Sequence, residues 1–324
     1  MTGGTASARP RPTAGASRAE LEELLGHVRR DLARRDEDPT GAWVEESAAD
    51  LAAGRRPGWF LPTADGGGLA FYARRGPAAF AHLHAEEASG SAAALAEALL
   101  ASLPPDVTSL DLGFTGLAPD RERELAAALA GRPGSTVIER QAMDRPITAE
   151  DGRWPDAPPA PLERVAVRAV TLEALADLDR RAFEGSIDAL LVGREPEAYV
   201  RSIEALLDGR LGRFLDEAST AVIAREPTRL AGALLTGERS AHRAIFLDVM
   251  VDPARRRTGL GRYLLGWGLR ALHALGHEQA RLWVSVRNEP AVGLYRAFGF
   301  RTSFVATIYR WDRPASAAQP QRER

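Results

Sequence analysis

Val251-Asp252-Pro253-Ala254-Arg255-Arg256-Arg257-Thr258-Gly259-Leu260-Gly261-Arg262 stands between an apolar run, 244–251, and a long amphipathic run, 259–275. The first run reads as a buried strand and the second as a helix, which makes the quoted stretch a strand-to-helix turn. Such a turn ends at a helix N-terminus, where backbone N–H groups lack partners and the macrodipole is positive. That combination suits a diphosphate. Gly259 and Gly261 let the backbone come close to it, because a Cβ would stand in the way. Arg256, Arg257 and Arg262 add charge-assisted hydrogen bonds. A basic helix cap turned to solvent would share the arginines, but it would not require the glycine spacing, Pro253 and the flanking strand together.

Outward from this turn the pattern alternates. Before it come a strand at 163–169, helices at 172–183 and 196–207, and strands at 221–225 and 230–237. After it come a strand at 280–285, a helix at 289–297 and a final strand at 303–311. The expected fold is mixed α/β with a central βαβ unit. Residues 151–161, DGRWPDAPPAP, hold four prolines and read as a stiff interdomain linker.

The amino-terminal half repeats the order more weakly, with strands at 68–73, 79–84, 107–112 and 135–140 and helices at 92–102 and 120–130. This points to an internal duplication whose first helices are altered or lost. The expected layout is a disordered tail 1–17, a degenerate first domain 18–150, the linker 151–161, an active domain 162–311 and a disordered tail 312–324.

Composition removes several classes. The chain of 324 residues has no cysteine, which excludes disulfides, thiolate metal sites and a cysteinyl acyl intermediate. A formal net charge of -2 gives no general attraction to nucleic acid or anionic lipid. No run is long and apolar enough for a signal peptide or a membrane span, so the expectation is a soluble cytoplasmic protein, monomeric or homodimeric, without metal.

A second stretch narrows the reading: Leu282-Trp283-Val284-Ser285-Val286-Arg287-Asn288-Glu289-Pro290-Ala291-Val292-Gly293-Leu294-Tyr295-Arg296-Ala297-Phe298-Gly299-Phe300. Arg256 to Gly261 fits the RxxGxG signature of the GNAT superfamily of N-acetyltransferases, and this second stretch fits that family's LxVxxxNxxAxxLYxxxGF pattern. The carboxy-terminal half therefore resembles a GNAT domain. The whole chain looks like tandem GNAT-like domains, each a twisted mixed sheet flanked by helices, with the first one degenerate.

The resemblance implies transfer of an acetyl group from acetyl-CoA to a primary amine, directly and in a ternary complex. It places the pantetheine arm along the backbone of Val249, Met250 and Val251, and the diphosphate on the turn formed by Arg256, Arg257, Thr258, Gly259, Leu260, Gly261 and Arg262. The Val249 N–H would polarise the thioester carbonyl. Asn288 would touch the arm, although it also suits a helix N-cap. Tyr295 would lie near the coenzyme sulfur and protonate the leaving thiolate; a plain core aromatic is the competing reading.

The family's bases are missing. Ile245 and Trp283 stand where relatives carry glutamates. Asp248 is the candidate in their place, with His242, Glu238, Glu184 and Asp188 as further substitutes. Plain strand alternation sets Asp248 on the face opposite Ile245 and Val249, unless a bulge shifts it. In the first half, Glu86-Glu87-Ala88-Ser89-Gly90-Ser91 offers carboxylates where a phosphate loop would fall, so that half is not expected to bind coenzyme in the usual way.

The tandem arrangement, Met143 to Ile147 and LWVSVRN resemble mycothiol synthase-like proteins, from which Ile245 departs. A small-molecule or peptide amine is the expected acceptor. A non-catalytic module that binds acetyl-CoA is the alternative.

Overall fold

The computed structural model describes residues 9–35, 42–62, 67–85, 91–193, 195–225 and 228–314. The chain divides into two compact units, Met1–Glu139 with Ala306–Arg324, and Arg140–Val305.

In the first unit the order is β1 (Arg11–Pro12), α1 (Arg18–Arg35), α2 (Ala42–Ala52), β2 (Gly58–Leu61), β3 (Gly68–Arg75), β4 (Ala78–Ala85), α3 (Ser91–Ala101), β5 (Ser109–Thr115) and α4 (Pro119–Leu129). Strand β6 (Ser135–Pro146) then carries the chain into the second unit. There follow β7 (Leu162–Ala166), α5 (Leu172–Phe183), α6 (Ala189–Val192), α7 (Pro196–Leu207), β8 (Arg213–Phe214), β9 (Thr220–Arg225) and β10 (Thr228–Ser240). The unit is completed by β11 (Arg243–Val251), α8 (Leu260–Ala274), β12 (Gln279–Ser285) and α9 (Glu289–Ala297). Strand β13 (Arg301–Asp312) starts in the second unit and ends in the first.

The two sheets share one order. In the first it is β1-β2-β3-β4-β5-β13, and in the second β7-β9-β10-β11-β12-β6. One pair in each is parallel, β4 with β5 and β11 with β12, and the last strand of each runs antiparallel to its neighbour. The last strand of each sheet is therefore the one that chain order alone would have assigned to the other unit. This common order agrees with a duplication.

Four expectations about layout change. The first helices of the amino-terminal half are present: α1 and α2 precede the strands, and Leu21, Leu24, Leu25, Val28 and Leu32 are buried at helical spacing. Residues 9–17 belong to the fold, since Arg11 and Pro12 pair with Phe60 and Trp59 and Thr13 is buried. The remainder of the expected amino-terminal tail, 1–8, lies outside the described residues, as do 315–324 at the other end.

Residues 151–161 do not part the units. The break falls between Glu139 and Arg140, inside β6, because residues 140–146 pair with β12. The proline-rich stretch lies on α8 instead. Trp154 stacks on Phe298 with ring centroids 4.9 Å apart, and the Tyr263 hydroxyl donates to the Asp156 carbonyl at 2.8 Å. At the far end Ala306 onward belongs to the first unit; Asp312 ends β13, and the Arg313 Nε donates to the Val107 carbonyl at 2.8 Å.

Helix α8 seats on the second sheet through a close approach at Gly268. A Cβ there would stand 2.3 Å from Leu234 Cδ2 and 2.9 Å from Phe246 Cε1. Both neighbours are buried, so Gly268→Ala forces the helix off the sheet, and a loss of about 1–3 kcal/mol is expected. Urea unfolding followed by tryptophan fluorescence measures it; an unchanged midpoint would refute the close approach.

Candidate active site

Strands β11 and β12 pair in parallel from Arg243↔Gln279 to Phe246↔Leu282, and the pairing ends there. Beyond that point the edge of β11 at 247–251 and the end of β12 have no ladder between them. An unpaired strand edge offers N–H and C=O groups to an extended ligand.

The parting coincides with a bulge. β10 pairs Thr236 with Phe246 and Leu235 with Asp248, so Leu247 is the extra residue. A bulge reverses which face the following side chains take. Phe246 packs toward α8, but after the bulge Val249 and Val251 take that face, while Leu247 and Met250 pack toward α5 and α7. Asp248, opposite Leu235, faces the α5 side, the same face as Ile245 opposite Gly237. Alternation without a bulge would have placed Asp248 opposite Ile245; with the bulge the two share a face.

The turn after β11 starts as a short 3-10 helix, 253–255, capped by Asp252, whose carboxylate accepts from the Ala254 N–H at 2.9 Å. Asp252 is buried and also pairs with Arg181 and with Arg229, the latter at 3.1 Å. The first pair ties the end of β11 to α5 and the second ties it to β10. Arg257 at φ 63° and Gly259 at φ 89° both take the left-handed conformation. Helix α8 follows, and its first internal bond runs from the Tyr263 N–H to the Gly259 carbonyl at 2.9 Å. The N–H groups of Leu260, Gly261 and Arg262 precede that bond and have no helical acceptor. Nothing lies within 4 Å of where a Gly259 Cβ would stand, so the mouth of the turn is open.

At the floor of the opening several polar groups converge. Asp188 accepts from the Ser285 hydroxyl and from Asn288 Nδ2, the latter at 3.2 Å. The Asn288 Oδ1 caps α9 by accepting from the Ala291 N–H at 3.3 Å, so the capping reading holds. Arg140, from β6, donates through Nη2 to the Trp283 carbonyl at 3.3 Å, and its buried Nε has no partner among the described residues. Tyr295 is 8% exposed and meets Phe300 edge to face at 6.1 Å.

The electrostatics follow from burial. Desolvation raises the Asp248 carboxyl well above the ordinary carboxylate range, and the charge of Asp179 adds to it. Hydrogen bonding to the Val249 N–H and the positive charge of Arg140 oppose the rise. Burial likewise pushes the Tyr295 phenol far above its usual value, with Asp248 and Asp188 contributing. It pushes the Arg140 guanidinium down, against the pull of Asp188, Asp248 and Tyr295.

Not every expected residue faces the opening with its side chain. Met250 and Leu260 are fully buried, so their contribution is backbone. Arg256 donates to the Ala182 carbonyl at 2.6 Å and Thr258 to the Arg255 carbonyl at 2.7 Å, both of which shape the turn. The Arg262 guanidinium lies over the rings of Trp154 and Phe298, at 5.3 and 5.4 Å. Arg257 is exposed at the mouth. His242, on the hairpin, pairs with Glu278 at 3.3 Å and Glu238 with Arg213 at 2.6 Å; among the described residues neither is hydrogen-bonded or ion-paired to Asp248 or Tyr295. Arg140 and Asp179 carried no sequence signal. Arg140 lay beyond the expected domain boundary, and Asp179 is one more acid on an amphipathic helix. Among the described residues no cluster of metal-ligating side chains forms and no helix is long and apolar enough to cross a membrane.

The model of the acetyltransferase (GNAT) family matches residues 172–300. A mycothiol acetyltransferase of Catenulispora acidiphila is 30% identical over 199 residues, covering 57% of this chain and 58% of that protein. One of Frankia casuarinae is 28% identical over 238 residues, 70% of this chain and 65% of that protein. The match with the first of these relatives thus spans 58% of its length, and that with a relative from Clavibacter sepedonicus 34%. Among solved structures, a GCN5-related N-acetyltransferase from Sphaerobacter thermophilus aligns over 92% of this chain and 95% of its own, with a TM-score of 0.60 at 16% identity. A tandem GNAT protein from the clavulanic acid biosynthesis pathway aligns over 94% and 97%, with a TM-score of 0.56 at 15% identity. The fold is thus the one shared with these two structures, and residues 172–300 match the model of the acetyltransferase (GNAT) family.

Proposed function

We propose that this protein is an N-acetyltransferase that takes the acetyl group of acetyl-CoA directly to a primary amine, small-molecule or peptide, at the opening between β11 and β12. The observation that carries this reading is the loss of pairing after Phe246, with Asp248 and Tyr295 held beside it. The N–H groups of Leu260, Gly261 and Arg262, with Arg257, suit the diphosphate. The open edge at Val249 to Val251 suits the pantetheine arm.

Asp248 acts as the base. An amine arrives largely as its ammonium form and must lose a proton before it can attack. The carboxylate that takes this proton also holds the Val249 N–H. Protonation weakens that hold and leaves the N–H freer to stabilise the negative charge that develops on the thioester oxygen. Tyr295 gives its phenolic proton to the departing sulfur and recovers one from the new amide nitrogen, so the hydroxyl acts as a relay.

In the first unit β4 and β5 stay paired from Ala78↔Ser109 to His84↔Thr115, which favours a unit without coenzyme. The loop expected to repel phosphate, 86–90, lies outside the described residues. A fragment ending at Glu150 would lack β13, so coenzyme binding by this unit is best tested in the full chain.

One observation favours a narrower acceptor. The curated relatives are mycothiol acetyltransferases, and Asp248 shares the face of Ile245, the position at which this chain had departed from that group. Calorimetric titration of the full chain with acetyl-CoA, followed by thiol release with an amine panel that includes the mycothiol precursor, tests both readings. A single site with turnover of that precursor is the expected result. Turnover of other amines alone removes the narrower reading. Binding without turnover of any amine points to a non-catalytic module, and no binding ends the proposal.

A further inference from the structure

Residues 184–193 lead from α5 toward α7 and include the four residues of α6. Gly185 at φ 75° and Gly193 at φ 124° stand near the two ends of this segment, in conformations that favour glycine. Burial does little to hold what lies between them. No residue of α6 is buried, and of its side chains only Val192 packs against a core cluster among the described residues. The loop backbone bonds are local, from the Ser186 N–H to the Phe183 carbonyl at 2.8 Å to the Gly193 N–H to the Ala189 carbonyl at 3.4 Å.

Asp188 makes the tie to the rest of the unit. It stands at the N-cap of α6, where an aspartate ordinarily accepts from the first N–H groups of its own helix, yet its side chain makes no such bond. The carboxylate reaches out of the segment instead. Oδ1 accepts from the Ser285 hydroxyl at the end of β12, and Oδ2 accepts from Asn288 Nδ2 at 3.2 Å. Leu282 and Val284 pack toward α8, so alternation turns the buried Ser285 to the other face, the one on which Asp248 lies. The segment is thereby held on the side from which an amine reaches Asp248.

We propose that Asp188 is a positioning residue that fastens residues 184–193 at the acceptor side of the opening and, through Asn288, couples that wall to the coenzyme arm. The arm and the amine rest on the acetyltransferase reading; the fastening does not.

Asn288 is the joint. Its Oδ1 caps α9, its Nδ2 is held by Asp188, and it is the residue that the resemblance sets against the pantetheine arm. An arm lying on Asn288 fixes the amide, and a fixed amide fixes Asp188. By linkage, coenzyme that orders the segment makes the amine bind more tightly, and the amine strengthens coenzyme binding by the same factor. Each oxygen of Asp188 already accepts a hydrogen bond, which suits it to hold the segment and not to take the proton of the ammonium.

Hydrogen–deuterium exchange of the full chain, read at residues 186–193, tests the fastening without any ligand. Asp188→Ala should speed exchange there about tenfold, the effect of losing charge-assisted hydrogen bonds from a stretch with little burial, while α8 keeps its wild-type rates. Equal rates in wild type and variant overturn the proposal. With acetyl-CoA bound, exchange in the segment should slow in the wild type and not in Asp188→Ala; equal slowing in both overturns the coupling. In turnover, Asp188→Ala should raise KM for the amine about tenfold and keep kcat within about threefold, whereas loss of a base would fall on kcat. A large fall in kcat at unchanged KM therefore also counts against it. Asp188→Asn, which keeps one accepting oxygen, should lie between wild type and Asp188→Ala in exchange and in KM. If exchange responds as expected but the chain binds no acetyl-CoA, the fastening stands, and the coupling fails together with the acetyltransferase reading.

Discussion

Gly259→Glu is expected to weaken acetyl-CoA binding by about 100-fold or more, close to 3 kcal/mol on the usual scale of tenfold per 1.4 kcal/mol. Two separable effects add. Gly259 holds φ at 89°, where a side chain costs roughly 1–3 kcal/mol of strain. A carboxylate at the open mouth of the turn also repels a diphosphate lying on the N–H groups of Leu260, Gly261 and Arg262. Because no atom lies within 4 Å of the added Cβ, the variant meets no packing clash and should keep its fold. Gly259→Ala separates the terms, with about a tenfold loss expected from strain alone. Calorimetry on both variants, with thermal melting as the fold control, gives the answer. An unchanged affinity in Gly259→Glu would show that the turn does not hold the diphosphate.

Tyr295→Phe should lower kcat by roughly 10²- to 10³-fold and leave acetyl-CoA affinity unchanged, within the range that a positioned proton donor supplies. Phenylalanine keeps the edge-to-face contact with Phe300, so the change removes one hydroxyl and little else. Burial first, then Asp248 and Asp188, holds the phenol far above its ordinary value. It therefore carries its proton throughout the neutral range, and its phenolate is too unfavourable to persist. The loss in kcat should accordingly be uniform with pH, and a relay that regains its proton at once is the role such a group can perform. A kcat within twofold of the wild type would leave Tyr295 as packing.

Three levels of the molecule were legible in the sequence to different degrees. Helices α5, α7 and α9 stand at 172–183, 196–207 and 289–297, as the sequence spacing predicts, because each carries its apolar face in local order. Helices α1 and α2 were passed over although Leu21 to Leu32 keep helical spacing: polar residues and arginines surround the leucines, and the preceding Pro- and Gly-rich stretch reads as tail. The turn at Arg256 to Arg262 was legible because it is defined by backbone conformation at adjacent residues. Glycines and a proline announce that conformation directly.

Sequence by itself thus determined the alternation of elements, the turn at Arg256 to Arg262 and the position of Tyr295. Tertiary structure alone decided three other things. The unit boundary lies inside β6, because strand pairing of 140–146 with β12 outweighs the prolines that follow. The last strands change units, because a strand belongs to the edge that satisfies its hydrogen bonds and not to its neighbours in sequence. The face taken by Asp248 is set by the extra residue at Leu247, and a bulge is a property of two strands in register, which no single strand's alternation can reveal.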